Sequence, residues 1–359
     1  MIPYGRQSID DEDIAAVVQV LKGDWLTQGP HVAEFEESLA ASVGARHAVA
    51  FSSGTAALHG ATAASGLGPA DTVVTSPLSF VASANCARFV GATPAFVDID
   101  RATLNADVRM VRPDVSAVVA VHYAGLPCDL TRLPSRPRVL IEDAAHALGA
   151  TTPDGPVGNC ARSDMCVFSF HPVKTVTSGE GGAVTTNDSS LAERLRRFRS
   201  HGIVPRPDLG GWVYDIPTLG LNYRLTDLQA ALGTSQLTKL SRFVGRRQAL
   251  AARYRDLLDG LDVVLPPAPP PCSTHAYHLF PVQVADRHRV FAGMREAGIG
   301  VQTHYMPIYR HALYADLGLT PEQFPNTERV YAGLLSLPLF PDLTEDEQDT
   351  VVEVLASLL

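Results

Sequence analysis

The chain has 359 residues, of which 46% are hydrophobic and 19% charged, with a formal net charge of −9. That length supports two domains and a large core, and the apolar content excludes a disordered chain. No basic patch is available to hold a phosphate backbone, so nucleic acid is excluded as a partner and any anionic ligand must be bound locally, by loops and helix ends. The five cysteines, Cys86, Cys128, Cys160, Cys166 and Cys272, are odd in number and lack CxxC spacing. They read as buried, reduced thiols, with no metal site and no disulfide framework. No run approaches the length of a membrane span and no basic-then-apolar leader follows Met1, so the cytoplasm is the expected address.

Short β-rich runs alternate with Ala-rich helical stretches over the first two-thirds of the chain. Strands are predicted at His47–Phe51, Thr72–Thr75, Pro94–Val97, Ala117–His122, Val139–Ile141, Met165–Phe170 and Ala183–Thr186, with helices such as Gly54–Ala64 and Val81–Phe89 between them. This alternation predicts an α/β domain with a mostly parallel sheet. From Thr226 to Leu261 the pattern becomes one long helical stretch, ended by Leu265-Pro-Pro-Ala-Pro-Pro-Pro-Cys272, a stiff linker read as the domain break. Beyond it, His275–Val284 reads as a strand, Arg287–Gly298 as a helix and Thr344–Leu358 as a closing helix capped by Thr344, which together make a small α+β domain. We divide the chain into a large domain, 1–240, with an N-terminal arm 1–12, and a small domain, 241–359, that includes the linking helix and the proline linker 265–271.

The most informative stretch is Phe168-Ser-Phe-His-Pro-Val-Lys174-Thr-Val-Thr-Ser-Gly-Glu-Gly-Gly182. It sets a single lysine between two strands at a glycine-rich turn, where desolvation can strip the charge and leave a nucleophilic amine suited to Schiff-base chemistry. A surface lysine in a hairpin is the plain alternative. Ser52-Ser53-Gly54-Thr55 follows a strand and opens a helix, an arrangement that presents free N–H groups to a phosphate or, more simply, caps the helix. Glu142-Asp143 closes an apolar strand, and in a parallel sheet ligands bind at carboxyl ends. One carboxylate should therefore face a pocket and the other be structural. His146 is either bonded to backbone at a helix start or packed on a bound ring. Phe80 offers an aromatic face at the next strand end, or else is core. Asn222, Arg224 and Thr226 precede the long helix and could simply cap it.

Taken together, a phosphate turn, a stacking aromatic, a strand-end Asp and a Ser five residues before a Lys resemble the fold-type I pyridoxal-phosphate enzymes. More closely, they are similar to the DegT/DnrJ/EryC1/StrS family of nucleotide-sugar aminotransferases, over Ile2 to Leu339. The resemblance implies an aspartate-aminotransferase-like fold, pyridoxal 5′-phosphate as cofactor and a homodimer with active sites shared between subunits. By motif, Lys174 matches the lysine that bears the cofactor and Asp143 the partner of its ring nitrogen. His146 would lie on the ring-hydroxyl side, Phe80 would stack on the ring, and Gly54, Thr55 and Ser169 would hold the phosphate. Asn222 would reach the phosphate of the neighbouring subunit's cofactor. The wording of Ile2-Pro-Tyr-Gly-Arg-Gln, Leu26-Thr-Gln-Gly-Pro30, Thr75–Cys86 and Ser169–Lys174 is similar to one branch. Members of that branch aminate a UDP-4-keto-6-deoxy-N-acetylhexosamine at C4, with glutamate as donor, in pseudaminic acid biosynthesis. In that branch, sugar contacts fall at positions matching Tyr4, Asp24, Trp25, Leu26, Thr27, His304, Tyr305, Met306 and Pro307.

Three other outcomes remain open at this level. A different sugar or a dTDP or GDP carrier fits the same motifs, and a cofactor-binding sensor needs no turnover. Sugar dehydratases related to the family carry His in place of the lysine, so Lys174 argues against that chemistry. Two segments, Asp100–Ser116 and Asp129–Val139, are shorter than the family pattern, and the second has prolines in place of a helix. Neither touches a motif, so the expected consequence is thinner packing on one face of the sheet.

Overall fold

Seven strands form the central sheet: β1 (His47–Phe51), β2 (Thr72–Thr75), β3 (Thr93–Phe96), β4 (Ala117–Val121), β5 (Val139–Asp143), β6 (Met165–Ser169) and β7 (Gly182–Thr186). The structure, a computed structural model, describes residues 1–359. The spatial order is β1-β7-β6-β5-β4-β2-β3, parallel from β3 through β6, with β7 antiparallel to both its neighbours. β4, Ala-Val-Val-Ala-Val, is buried at every position, as a central parallel strand covered on both faces requires.

Helices α1 (Asp11–Lys22), α2 (Pro30–Val43), α3 (Gly54–Ala64), α4 (Ala82–Phe89), α5 (Ser189–Arg199) and α6 (Asp227–Thr238) cover the sheet. On one face Leu58 of α3, Cys86 of α4 and Leu195 of α5 pack with Phe51, Val119 and Val167; on the other, Phe35 and Leu39 of α2 and Ala230 of α6 pack with Ala50 and Phe168. Towards β2 the second face thins out. Val74, Val118 and Leu140 are covered by Val108, Val111, Val115 and Cys128 with Leu130 and Leu133 at the margin, and single 3₁₀ turns at Val108–Met110 and Leu130–Arg132 stand in the two shortened segments.

The long helical stretch is two helices, α6 and α7 (Leu240–Leu257), joined at Lys239. The reason lies outside the stretch: the Lys239 ammonium is drawn to Asp10 and to the fully buried Asp13, 3.0 Å away. Asp13 is itself held by Ser235 Oγ at 2.6 Å and Gln236 Nε2 at 2.7 Å. Periodicity cannot register an ion pair with a residue more than two hundred positions away.

α7 passes from one core to another. Phe243 packs with the large-domain sheet, whereas Leu250, Ala251 and Tyr254 pack with β8 (Phe280–Gln283), α8 (Arg287–Glu296), β9 (Leu334–Leu337) and α10 (Glu345–Ser357). β8 and β9 are antiparallel. α9 (Pro325–Gly333) precedes β9, and Thr344 caps α10 in a capping box with Glu347. The proline run turns back along α7, where Arg255 donates to the carbonyls of Pro266 and Pro267 at 2.7 and 3.1 Å. Cys272 in that run is exposed, unlike the other four thiols, which corrects the expectation that all five are buried.

Only Phe280–Gln283 of the predicted strand His275–Val284 is extended in a sheet. Upstream, Ala276 and Leu279 donate instead to the carbonyls of Gly125 and Ala124, and Tyr277 takes φ +47°. That detour carries His278 to the carboxyl ends of the large sheet. The first residues of the chain also lie on the small domain: Ile2 bridges Ile299, and the carbonyl of Tyr4 accepts from Leu339 N.

Candidate active site

A cavity of 590 Å³ opens at the carboxyl ends of the parallel strands, under the segment 304–305. Each wall follows from local sequence. Ser53 ends the loop after β1 and caps α3, its Oγ accepting from Ala56 N at 3.1 Å. The amides of Gly54 and Thr55 keep no acceptor within the chain, so they are free to donate. Glycine is required at 54 and 182 by close approach. A Cβ on Gly54 would stand 2.9 Å from Ser169 Cβ, and one on Gly182 only 2.3 Å from Ser53 O. The helix N-terminus is thereby pressed against Ser169 at the end of β6, making a small cradle of N–H and O–H donors of the kind that takes a phosphate.

The two strand-end carboxylates divide as alternation along a strand demands. Asp143 lines the cavity, accepting from Ser83 Oγ at 2.6 Å and Ala145 N at 3.2 Å, with Ser79 behind Ser83 at 2.7 Å. Glu142 bonds on the other side to His122 Nε2 at 2.8 Å and to Ser163 Oγ. Burial pushes its carboxyl up, but those bonds outweigh burial and hold it below its usual range.

Lys174 lies across the cavity from β5. Burial brings its ammonium down to about 8, against the raising influence of Asp143, and the charge of Arg247 adds to the depression. Arg247 is fully buried and donates through Nη1 to the carbonyls of Tyr277, His278 and Leu339 at 3.3, 3.3 and 2.9 Å. A lysine poised near neutrality beside a fixed carboxylate is equipped both to attack a carbonyl and to carry a proton.

The third wall is aromatic. His146 packs against His278 with centroids 4.3 Å apart and the rings tilted by 39°, and its Nε2 lies 3.2 Å from the Tyr305 hydroxyl. It starts no helix and bonds no backbone group. His304 bonds Ser336 Oγ at 2.9 Å, its carbonyl takes the Tyr123 hydroxyl, and Tyr4 packs on it at 5.3 Å. Burial and the nearby Lys174 push His304 down to about 4. Phe80, 54% exposed, stands at the mouth 5.9 Å from Tyr305.

Of the residues singled out in the sequence, Tyr4, Gly54, Thr55, Phe80, Asp143, His146, Ser169, Lys174, His304 and Tyr305 all border this cavity. Asp24, Trp25, Leu26, Thr27, Asn222, Met306 and Pro307 do not. Thr27 bridges Thr226 and Asp227 N donates to Leu26 O, which puts the 24–27 and 222–226 segments side by side on an outward face. Asn222 is exposed there, and Arg224 forms no ion pair, which removes the helix-start ion pair as its explanation. Sequence reasoning missed Ser79, Ser83, His278, Tyr123 and Arg247. Ser79 and Ser83 sit inside the Thr75–Cys86 motif, four residues apart around the start of α4, and that spacing was the available signal. Nothing local marks the other three.

Whether this cavity suits pyridoxal phosphate can be judged on its own chemistry. The donors at Gly54, Thr55 and Ser169 suit a phosphate, and Asp143 suits a protonated ring nitrogen. Lys174 suits the aldehyde, and the ring nitrogens His146 Nδ1 and His278 Nδ1 are buried without a partner in the chain. The group fits.

The model of the DegT/DnrJ/EryC1/StrS aminotransferase family matches residues 7–356. The chain belongs to this family. The aminotransferase is 37% identical over 379 residues to the spore coat polysaccharide biosynthesis protein SpsC of Bacillus subtilis, covering 100% of this chain and 97% of SpsC. Among solved structures it is similar to Spr1654 of Streptococcus pneumoniae, assigned as a sugar aminotransferase and determined in pyridoxal- and pyridoxamine-phosphate forms. The pyridoxamine form matches at a TM-score of 0.93 and 27% identity over 100% of this chain and 99% of that one. Helicobacter pylori PseC, an aminotransferase involved in pseudaminic acid biosynthesis, matches at a TM-score of 0.90 and 30% identity, covering 99% and 98%. The protein is thus a pyridoxal-phosphate-dependent aminotransferase of fold type I. No helix is long and apolar enough to cross a membrane.

Proposed function

We propose that this aminotransferase aminates C4 of a UDP-linked 4-keto-6-deoxy-N-acetylhexosamine with L-glutamate as donor, giving UDP-4-amino-4,6-dideoxy-N-acetyl-β-L-altrosamine. The observation that carries the reading is the full-length likeness to PseC combined with the aromatic wall Tyr4, His304 and Tyr305 over the cofactor cavity. The cofactor supplies an aldehyde and an electron-withdrawing ring; the chain supplies the rest. Lys174 would hold its aldehyde end, and its amine, brought down to about 8, would carry a proton to and from the reacting carbon. Asp143, held by Ser83 and Ala145 N, keeps the ring nitrogen protonated. Gly54, Thr55 and Ser169 would bind the phosphate, Phe80 would pack on the ring, and His304 and Tyr305 would orient the sugar.

The active unit in this reading is a homodimer. Asn222, Trp25 and Leu26 lie outside the cavity of their own chain, beside an exposed hairpin in which Val204–Pro205 pairs with Tyr214–Asp215. Trp212 and Leu219 near it are 84% and 85% exposed, an apolar concentration that a second copy would cover. Asn222 then reaches the neighbouring subunit's phosphate site and Asp24–Thr27 its sugar.

A second reading, amination of another nucleotide-linked keto-sugar, is favoured by the higher identity to SpsC than to PseC. Incubation with glutamate and a panel of UDP- and dTDP-4-ketosugars separates the two. Turnover of the UDP-N-acetyl sugar to the 4-amino product of altro configuration supports the first, and preference for a sugar lacking the N-acetyl group or UDP overturns it.

A further inference from the structure

Tyr305 stands at a junction between the sugar-facing segment and the cofactor-facing wall. Its hydroxyl has one protein partner, His146 Nε2, at 3.2 Å, and the two rings lie nearly parallel at 21°. The other nitrogen of His146, Nδ1, is buried with no partner, on a ring that borders the cavity. A neutral imidazole has one N–H and one bare nitrogen, and which is which follows from the hydrogen bond that one of them makes. If Nε2 carried the proton, it would point at a phenol oxygen whose own hydrogen has no acceptor in the chain, and bare Nδ1 would meet an electron-rich ligand lone pair to lone pair. If Tyr305 donates to Nε2, the hydroxyl hydrogen is used and Nδ1–H is left as the free donor of a ring that borders the cavity.

The surroundings keep His146 neutral in either tautomer. His278 packs against it, Lys174 and His304 face it, and the guanidinium of Arg247 lies behind His278; Asp143 is the carboxylate across the cavity. Burial first, and then those neighbouring bases, push the His146 imidazolium well below its ordinary range. A second proton on this ring would place a cation near the Lys174 ammonium and the Arg247 guanidinium.

We propose that Tyr305 is a positioning residue acting through His146: by donating to Nε2 it fixes the Nδ1–H tautomer and so presents a neutral donor to the oxygen-bearing edge of the bound cofactor. Seating of the 304–307 segment and the electronics of the cofactor are thereby coupled through one hydrogen bond. The inference rests on the pyridoxal-phosphate reading of the cavity and is independent of which sugar is used.

The test uses holoenzyme labelled with ¹⁵N-histidine, with His146 assigned by its loss in His146→Gln. Long-range ¹H–¹⁵N correlation is expected to show His146 as the Nδ1–H tautomer in the parent and to lose that tautomer in Tyr305→Phe. In parallel, the bound cofactor's absorbance is titrated with pH in the absence of substrates. A donor to the cofactor's oxygen stabilises it most when the adjacent nitrogen has lost its proton, so losing the donor raises the midpoint, by about one pH unit or tenfold in proton affinity. Because the effect passes through His146, Tyr305→Phe is expected to add nothing in a His146→Gln background. An Nε2–H tautomer in the parent, an unchanged midpoint in Tyr305→Phe, or a full additional shift in the double variant overturns the proposal. None of these outcomes depends on sugar turnover, so failure of the substrate assignment remains separately visible.

Discussion

The floor of the cavity and the outward face around Asn222 are built on opposite principles. On the floor, Asp143, Ser83 and the Ser53–Thr55 turn are held by hydrogen bonds and by glycine contacts too close for any side chain, and Lys174 borders the same cavity. On the outward face, Trp25, Trp212 and Leu219 are exposed, and the side chains of Asn222 and Arg224 make no hydrogen bond or ion pair within their own chain. One chain thus gathers most of the proposed cofactor groups in one cavity, and the proposed contacts of Asn222 to the phosphate and of Asp24–Thr27 to the sugar are left to a second copy. Function in this protein therefore has a half built within one chain and a half that needs another surface.

Five measurements would break or sharpen that contrast. Lys174→Ala is expected to lower turnover by about 100- to 10,000-fold, and borohydride reduction should no longer fix the cofactor to the chain. Undiminished turnover would remove Lys174 from the mechanism. Asp143→Asn keeps the size of the side chain but loses the charge, and should cost about 100- to 1,000-fold in kcat while the protein still binds phosphate-bearing cofactor. On the outward face, Trp212→Ser is expected to weaken self-association by about 2 kcal/mol, or roughly 30-fold, in sedimentation equilibrium, with activity following the dimer population. A parent protein that is monomeric and fully active would refute the shared site.

The pH dependence of cofactor capture isolates the floor. Only the free amine attacks, and Lys174 titrates at about 8, so the capture rate by cofactor-free protein, followed by absorbance, should rise about tenfold per pH unit below that value and level above it. Because this lysine falls from 10.5 to about 8 on folding, the unfolded chain binds more protons between those values. Its burial therefore costs stability below pH 8, and the cost is relieved as pH rises through the window. The smallest effect is expected far from both regions. Thr344→Ala removes the cap of α10 and should cost about 1 kcal/mol in chemical denaturation with catalysis unchanged.

Much of the fold was legible because its signals are local. β1 and β2 follow the predicted limits, and α3 runs from Gly54 to Ala64 as its Ser cap and alanine content dictate. Thr344 and Thr226 cap their helices by hydrogen bonds that reach only three residues ahead. What failed were readings that depended on distant partners. The helix break at Lys239 is set by Asp10 and Asp13, and the shortening of the predicted strand at 275 by the carbonyls of Ala124 and Gly125.

The site divides along the same line. Lys174, Asp143, Ser169 and the Ser53–Thr55 turn could be read from the sequence because each sits at a strand end or helix start whose geometry neighbouring residues impose. The sequence by itself therefore determined the chemistry and the sheet that supports it. Only the tertiary structure decided that His278, Arg247 and Tyr123 come in beside that chemistry, and that the sequence-predicted Tyr305 meets His146 there. Their contacts span 31 to 181 residues of chain, and no pattern within any one segment encodes a partner that folding alone brings near.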